Sequence, residues 1–127
     1  MHEEEVMEQL EAQGVDTVVS LPCDKNKRFT DSLYGRFRVV DVTREEDGVG
    51  VCAGAFLAGL RPVMSVQSSG IGNMLNAMMS LTACYRLPLV ILASWRGLED
   101  ERIEAQRCFN PRIPGLLSVY GIGCWDV

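Results

Sequence analysis

Hydrophobic positions in this chain recur with two alternating periods. Short apolar or β-branched runs predict buried strands at residues 17–21, 38–42, 61–67 and 87–94, and residues 121–127 could start a fifth. The segments between these strands carry apolar residues at helical spacing. Strands that alternate with helices in this way are typical of βαβ crossovers. The predicted fold class is therefore α/β, a parallel sheet with helices on both faces.

The predicted helices differ in strength. Val6, Met7 and Leu10 predict a helix over residues 3–13, which Gly14 ends as a C-cap, whereas residues 26–35 are only weakly helical. The helix after the second strand has an apolar stripe made of Val49, Cys52, Ala53, Phe56, Leu57 and Leu60. The helix after the third strand has one made of Met74, Leu75, Met78, Leu81, Thr82 and Tyr85. The segment 43–46, Thr-Arg-Glu-Glu, predicts a capping box.

Composition narrows the class of protein. The chain has 127 residues, 47% of them hydrophobic and 23% charged, which predicts a single globular domain over residues 1–127. The net charge of −5 disfavours nucleic acid or an anionic membrane as a partner, and no apolar run approaches the roughly 20 residues of a membrane helix. Five cysteines without a CxxC and a single histidine, His2, indicate no disulfide framework, zinc site or Ser-His triad. We expect a reduced, cytoplasmic protein without a signal peptide.

Candidate chemistry lies in the loops that follow the predicted strands, because ligands of open parallel sheets bind beyond the carboxyl ends of the strands. This rule selects segments 21–24, 43–46, 67–73 and 94–97. We expect the four segments to meet at one edge of the sheet.

Two of these segments have more than one interpretation. Gly70 and Gly72 would let backbone N–H groups approach a phosphate, but the third Rossmann glycine is replaced by Leu75 and no Walker lysine follows, so a tight turn without a ligand remains open. Glu45 in a first helical turn is favoured by the helix dipole alone, by about 0.3–1 kcal/mol. Small residues are frequent at 48–59, and the glycines among them cost helix propensity, which is typical of a helix whose backbone is closely approached.

The segments taken together resemble the pyrimidine-binding (PYR) domain of thiamine-diphosphate enzymes. Within that family they are most similar to the sulfopyruvate decarboxylases and then to the phosphonopyruvate decarboxylases. The matching stretches are Val-Val-Ser-Leu-Pro-Cys-Asp at 18–24, Val-Thr-Arg-Glu-Glu-Asp-Gly-Val-Gly-Val-Cys-Ala-Gly at 42–54, Gln-Ser-Ser-Gly-Ile-Gly-Asn at 67–73, and Leu-Pro-Leu-Val-Ile-Leu at 87–92 followed by Trp-Arg-Gly at 95–97. They follow the family's order and spacing.

The resemblance implies roles for particular residues. Glu45, nine positions before Gly54, would activate thiamine diphosphate through its aminopyrimidine ring, and Glu46 would only cap the helix. Asp24 would do acid/base work, although an Asx turn explains it equally well. The other residues expected to border the cofactor are Gln67, Ser68, Ser69, Gly70, Gly72 and Asn73.

The substrate implied by the resemblance is sulfopyruvate, decarboxylated as in coenzyme M biosynthesis. Its second anionic group needs cationic contacts, and we hypothesise that Arg96, Lys25 with Lys27, and Arg107 supply them. Phosphonopyruvate decarboxylases have a histidine shortly after Trp-Arg-Gly. This chain instead reads Glu-Ala-Gln-Arg at 104–107, which favours sulfopyruvate over phosphonopyruvate.

The resemblance also implies a partner. Thiamine-diphosphate enzymes hold the diphosphate through Mg²⁺ bound to a Gly-Asp-Gly segment, which this sequence lacks. We therefore expect no metal ligands in this chain and a beta subunit that carries the diphosphate-binding (PP) domain. The alternatives are a phosphonopyruvate decarboxylase, another 2-oxoacid decarboxylase or carboligase half, and a non-catalytic interaction domain with the PYR fold. The sequence ends near the point where relatives continue.

Overall fold

The computed structural model describes residues 2–127. Its strands are β1 Thr17–Ser20, β2 Arg38–Asp41, β3 Pro62–Gln67 and β4 Ile91–Ser94. Its helices are α1 Glu3–Ala12, α2 Lys27–Leu33, α3 Glu45–Leu57, α4 Ile71–Ala77, α5 Glu104–Phe109 and α6 Ile113–Val119. Turns of 3₁₀-helix lie at Asp24–Asn26, Ser68–Gly70 and Asn110–Arg112, and a π-helical segment, Met78–Ala83, extends α4.

The four strands form one parallel sheet in the order β2-β1-β3-β4. Thr17 of β1 pairs with Arg38 of β2 on one side and with Pro62 of β3 on the other. Every residue of β1 is buried, as a strand inside a parallel sheet requires when both faces are covered. The predicted α/β class is confirmed.

Two apolar clusters cover the two faces. Successive residues of a strand point to opposite faces, and Val18 and Val19 accordingly belong to different clusters. The first cluster is the buried set Val19, Val49, Cys52, Met64, Val66, Ile71, Met74, Met78, Ile113 and Leu117. The second is the buried set Met7, Leu10, Val18, Leu33, Phe37 and Val63. Helices α3, α4 and α6 therefore cover one face, and α1 and α2 cover the other.

The strand predictions fail at the C-terminal end of the chain. The fourth strand begins at Ile91 rather than at residue 87, since Pro88 has no N–H to donate and the ladder with β3 begins at Met64. The fifth strand is wrong: residues 122–127 form no strand, and Gly121 turns the chain at φ +69° just after α6.

Three helix predictions differ from the structure as well. The weak pattern at 26–35 nevertheless forms α2, which buries Thr30 and Leu33. The capping box at 43–46 is wrong: Arg44 is the extended N-cap of α3, no side chain caps its backbone, and Glu46 accepts a bond from Arg44 Nε at 2.8 Å. Tyr85, which follows the π-helical segment, is exposed, so the apolar stripe predicted for this helix ends at Thr82.

Candidate active site

Glu45 is the buried acid at the start of α3. Only 7% of its surface is exposed, although it occupies the first helical position, where most acidic side chains face water. Asn73 of α4 donates from Nδ2 to Glu45 Oε2 at 3.1 Å. Among residues 2–127 the other carboxylate oxygen, Oε1, has no donor, and it is not among the buried polar atoms that lack a partner. This oxygen is therefore accessible and free to bond to a ligand.

Gly70 makes room for the Glu45 side chain. A Cβ atom at this position would lie 2.7 Å from Glu45 Cγ and 2.9 Å from Cδ. The backbone of Gly70 is helical, with φ −66°, so the requirement for glycine is steric rather than conformational. The close neighbour that requires a glycine at position 70 is thus the Glu45 side chain, including its carboxyl group.

A strand-end cavity of about 250 Å³ opens beside this carboxyl-bearing edge. The loops after β1, β3 and β4 supply its lining, which consists of Leu21, Pro22, Cys23, Asp24, Gln67 and Arg96. Three of the four predicted loops therefore meet at this cavity, and the fourth, at 43–46, contacts the 67–73 loop through Glu45. Glu45 does not line this cavity. Gly70 and Asn73, which contact Glu45, lie in the same segment as Gln67, which does line it.

Gln67 joins the three loops around the strand-end cavity. Its Oε1 accepts from Cys23 Sγ at 3.3 Å and from Arg96 Nη1 at 3.2 Å. Arg96 Nη1 also lies 3.7 Å from Cys23 Sγ. The side-chain oxygen of Gln67 is therefore turned toward the guanidinium.

Arg96 is held by a buried ion pair with Glu101. Arg96 Nε donates to Glu101 Oε2 at 2.8 Å and Nη2 donates to Oε1 at 3.2 Å, and the two residues are 7% and 5% exposed. Hydrogen bonds from Arg96 and from the backbone N–H of Ile103 hold the pKa of Glu101 well below its ordinary value. The same pairing raises the pKa of Arg96. Two of the three guanidinium nitrogens are therefore committed to Glu101.

Lys25 approaches the same oxygen of Glu101 as Arg96 Nε does. Its Nζ is 3.6 Å from Glu101 Oε2 and 3.9 Å from Asp100 Oδ2, and the side chain is nearly half exposed. Arg96 and Lys25, two of the predicted anion contacts, are thus brought together at Glu101.

The other predicted cations lie elsewhere. Lys27 is exposed, pairs with Asp31 at 2.7 Å and lines a second cavity of about 260 Å³. Arg107 on α5 is exposed, lies 3.7 Å from Glu104 Oε2 and lines neither cavity.

Asp24, the predicted acid/base residue, is exposed at the start of the 3₁₀ turn after β1. It lines both the strand-end cavity and the second cavity, whose other lining residues are Pro22, Cys23, Lys27, Thr30, Asp31 and Tyr34. No hydrogen bond between residues 2–127 engages its carboxylate. Its side chain is thus placed to meet a molecule in either cavity.

A buried polar clamp ties the C-terminal helices to this edge. Ser68 Oγ accepts from the backbone N–H of Arg96 at 2.9 Å and donates to Asn110 Oδ1, and Asn110 Nδ2 donates to the Gln106 backbone oxygen at 3.0 Å. A Cβ atom at Gly72 would lie 2.7 Å from the ring of Phe109. The Ser68 hydroxyl is fully used within the protein, and Gly72 admits an aromatic ring of α5.

Sequence reasoning missed Glu101 and Asn110. Glu101 is one of four acids in residues 99–104, and nothing in that pattern separates it from its exposed neighbours. Asn110 precedes Pro111, a combination that is typical of a surface turn. Residues 2–127 contain no group of three or more His, Cys, Asp and Glu side chains that could hold a metal ion. No helix within that range is both long enough and apolar enough to span a membrane.

Comparison with known proteins shows the family of this chain. The family model described as thiamine pyrophosphate enzyme, N-terminal TPP binding domain, matches residues 2–113. The chain is 45% identical over 120 residues to a sulfopyruvate decarboxylase of Methanosarcina acetivorans, which covers 94% of this chain and 31% of that protein. It is 36% identical over 112 residues to sulfopyruvate decarboxylase subunit alpha of Methanocaldococcus jannaschii, covering 87% and 66% of the two chains.

A phosphonopyruvate decarboxylase of Streptomyces viridochromogenes is also similar, with 36% identity over 107 residues, 80% of this chain and 26% of that protein. The chain thus spans less than two thirds of the length of each of these relatives. The match of the family model covers most of the sequence, and it includes Glu45 and every residue that lines the strand-end cavity. The chain belongs to the thiamine pyrophosphate enzyme family and contains its N-terminal TPP-binding domain.

Proposed function

We propose that this chain is the pyrimidine-binding half of a thiamine-diphosphate-dependent decarboxylase that converts sulfopyruvate to sulfoacetaldehyde and carbon dioxide. The observation that carries the proposal is the Glu45 carboxyl, buried at the start of α3 with Oε2 held by Asn73 and Oε1 unpartnered among residues 2–127. The names of the relatives support the substrate, since four of them are sulfopyruvate decarboxylases or their alpha subunits.

The residues at this edge fit the cofactor. Oε1 of Glu45 is an accessible acceptor at a fixed position, which suits a ring nitrogen of an aminopyrimidine. Gly70 lets the carboxyl lie against the chain, and the segment 67–73 would border the cofactor through Gln67, Ser69 and Asn73. Ser68 and Gly72 would act indirectly, by supporting the loop. The Ser68 hydroxyl already bonds to Asn110, and the ring of Phe109 already packs against Gly72.

Each residue has a separate task in the proposed reaction. Thiamine diphosphate, when bound, supplies the electron sink that decarboxylation of a 2-oxoacid requires. Glu45 would orient the aminopyrimidine and hold a proton at Oε1. The bond between the keto carbon and the carboxylate breaks, and that carbon must gain one proton in exchange. Asp24, which lines the strand-end cavity, is the proposed donor of this proton.

The substrate's sulfonate or carboxylate would lie near Arg96 and Lys25. Arg96 lines the strand-end cavity, and Lys25, which lines neither cavity, pairs with the same Glu101 carboxylate. Arg107 lies on α5, lines neither cavity and pairs with Glu104 instead. The anion-binding proposal therefore rests on Arg96 and Lys25.

The proposed partner is a beta subunit that holds the diphosphate and Mg²⁺ in its PP domain. Three relatives are named as alpha subunits, which supports a division of the site between two chains. This sequence has no Gly-Asp-Gly segment for the metal. We place the complex in the cytoplasm, a reducing compartment that suits five free cysteines.

Phosphonopyruvate is the second candidate substrate, favoured by the similarity of phosphonopyruvate decarboxylases. It presents the same 2-oxoacid with a phosphonate in place of the sulfonate. Comparison of the two substrates under identical conditions separates the candidates.

The experiment combines this chain with a candidate beta subunit that carries Gly-Asp-Gly, thiamine diphosphate and Mg²⁺. Carbon dioxide release is measured from sulfopyruvate, phosphonopyruvate and pyruvate, with each subunit alone as the control. The proposal predicts the highest kcat/KM with sulfopyruvate and no release by either subunit alone. Release from none of the three substrates would leave a non-catalytic interaction domain as the better account.

A further inference from the structure

Glu101 is the most heavily engaged carboxylate of the site, although no motif singles it out. It accepts bonds from two nitrogens of Arg96 and from the backbone N–H groups of Arg102 and Ile103, at 3.0 and 3.1 Å. Lys25 adds an ion pair at 3.6 Å. A carboxylate with this many donors has one stable position, and so has the guanidinium bound to it.

The fixed guanidinium in turn orients the amide of Gln67. Arginine can only donate hydrogen bonds, and its Nη1 lies 3.2 Å from the side-chain end of Gln67. The atom that faces Arg96 must therefore be the oxygen, since a rotated amide would set donor against donor. The Cys23 thiol, 3.3 Å from the same oxygen, donates to it in the same arrangement.

This orientation leaves the Gln67 amide nitrogen for a ligand. The bonds formed among residues 2–127 include no acceptor for Nε2, and Nε2 is not among the buried atoms without partners, so it is accessible. Gln67 lines the strand-end cavity. The cavity therefore contains a neutral N–H donor whose direction is fixed by Arg96.

We propose that Gln67 Nε2 binds an anionic oxygen of the substrate, and that Glu101 is a positioning residue that acts on this contact through Arg96. The proposal rests on the proposed function and adds a substrate-binding residue and a positioning residue to it. Glu101 offsets the charge of Arg96, so the recognition is by the oriented amide of Gln67.

Size and charge agree with a small anion. The cavity of about 250 Å³ lies below the roughly 300–1,000 Å³ of drug-sized ligand pockets, so it suits a three-carbon acid. Asp24 is the acidic side chain of the lining, and its carboxylate repels an anion. The bound oxygen is therefore expected on the Gln67 and Arg96 side of the cavity.

The first test measures binding of sulfoacetate, which carries a carboxylate and a sulfonate but no keto group to decarboxylate. Titration calorimetry is carried out on the full chain, alone and with its second subunit. Gln67→Glu keeps the oxygen for Arg96 but replaces the Nε2 donor by an acceptor, and it should weaken binding at least about tenfold. Gln9→Glu makes the same chemical change on the exposed surface of α1 and should bind like the wild type.

The second test separates positioning from folding. Glu101→Gln should raise the KM for sulfopyruvate several-fold with kcat within about twofold, because it disturbs a binding contact and not the reacting atoms. Glu99→Gln, an exposed residue of the same loop, should leave both constants unchanged. The double variant that combines Gln67→Glu with Glu101→Gln should raise the KM by less than the product of the two single effects, since both changes act on one contact. If Glu101→Gln fails to fold, sulfoacetate binding by Gln67→Glu tests the proposal by itself.

Equal sulfoacetate binding by the wild type and Gln67→Glu would overturn the proposal, and so would an absence of saturable binding by the wild type. A Gln67→Glu variant with lowered kcat at unchanged KM would also overturn it. Failure of the complex to decarboxylate sulfopyruvate overturns the proposed function alone, because the sulfoacetate titration does not depend on turnover.

Discussion

Asn73 Nδ2 donates to Glu45 Oε2 across 3.1 Å, which joins the first turn of α4 to the first turn of α3. The bond leaves Glu45 Oε1 as the free acceptor among the described residues. A carboxylate at a helix N-terminus normally faces water, so the partner that holds this one inside the protein sets its direction.

Loss of the Asn73 amide should therefore loosen the Glu45 carboxylate. We expect Asn73→Leu to lower the turnover of the reconstituted complex by roughly tenfold or more, as a hydrogen bond to a charged group is worth about 1.5–3 kcal/mol. Asn76→Leu, on the exposed side of the same helix, is the matched control. Equal rates for the two variants would mean that Asn73 does not orient Glu45.

Gly70 should tolerate no side chain, whereas Gly54 should benefit from one. A Cβ at Gly70 would meet the Glu45 side chain, so Gly70→Ala should destabilise the chain by about 1–3 kcal/mol and remove most of the turnover. Gly54 lies inside α3, and a methyl group added there would have no neighbouring atom within 4 Å, so Gly54→Ala should stabilise the isolated chain by roughly 0.5–1 kcal/mol. Urea unfolding of both variants measures the two free energies. A Gly70→Ala variant as stable and active as the wild type would contradict the close packing.

The ion pair of Glu101 with Arg96 should make stability depend on acid pH. The pKa of Glu101 is held well below the ordinary value of 4.5, so ionised Glu101 favours the folded state. Its contribution is present above about pH 4.5 and is lost as the pH falls below that value toward the folded pKa.

We therefore expect the free energy of unfolding to fall less steeply between about pH 5 and pH 3 in Glu101→Gln than in the wild type. Glu99→Gln, exposed in the same loop, should keep the wild-type slope. Denaturant unfolding at several pH values gives both slopes, and identical slopes for wild type and Glu101→Gln would show that the ion pair is not stabilising.

The cysteines should react at very different rates. Burial in the α3 core raises the pKa of Cys52 to about 12, and the thiolate is the reactive form. Cys84, Cys108 and Cys124 are exposed. Iodoacetamide at about pH 8, followed by mass spectrometry, should label these three well before Cys52, and all five should react alike in urea. Early labelling of Cys52 in the native chain would contradict its place in the core.

The sequence predicts the strands of the sheet better than it predicts the contacts that hold the site residues in place. β1 and β3 are recognisable because a strand buried on both faces needs a continuous run of apolar and small residues, as in Thr17–Ser20. The loops after the strands, with Glu45 and Gln67, follow from the rule that ligands bind at the carboxyl ends of parallel strands. Both depend on local patterns.

What the sequence does not predict depends on contacts between distant segments. Glu101 is buried only because Arg96 and Lys25 converge on it, and nothing in an acidic run distinguishes such a residue from its exposed neighbours. The expected strand after Gly121 fails because its apolar residues have no neighbouring strand, and Trp125 is left exposed. Thr43 fails as a cap because the extended Arg44 lies between it and the helix.

The most direct test of the account compares two neighbouring carboxyls in the reconstituted decarboxylase. Glu45→Gln should lower carbon dioxide release from sulfopyruvate by at least about 100-fold, because the amide cannot exchange a proton with the cofactor. Glu46→Gln, half-buried and bonded to Arg44, should stay within about twofold of the wild type. Turnover that survives in Glu45→Gln, or is lost in Glu46→Gln, would contradict the assignment of Glu45 as the cofactor-activating acid.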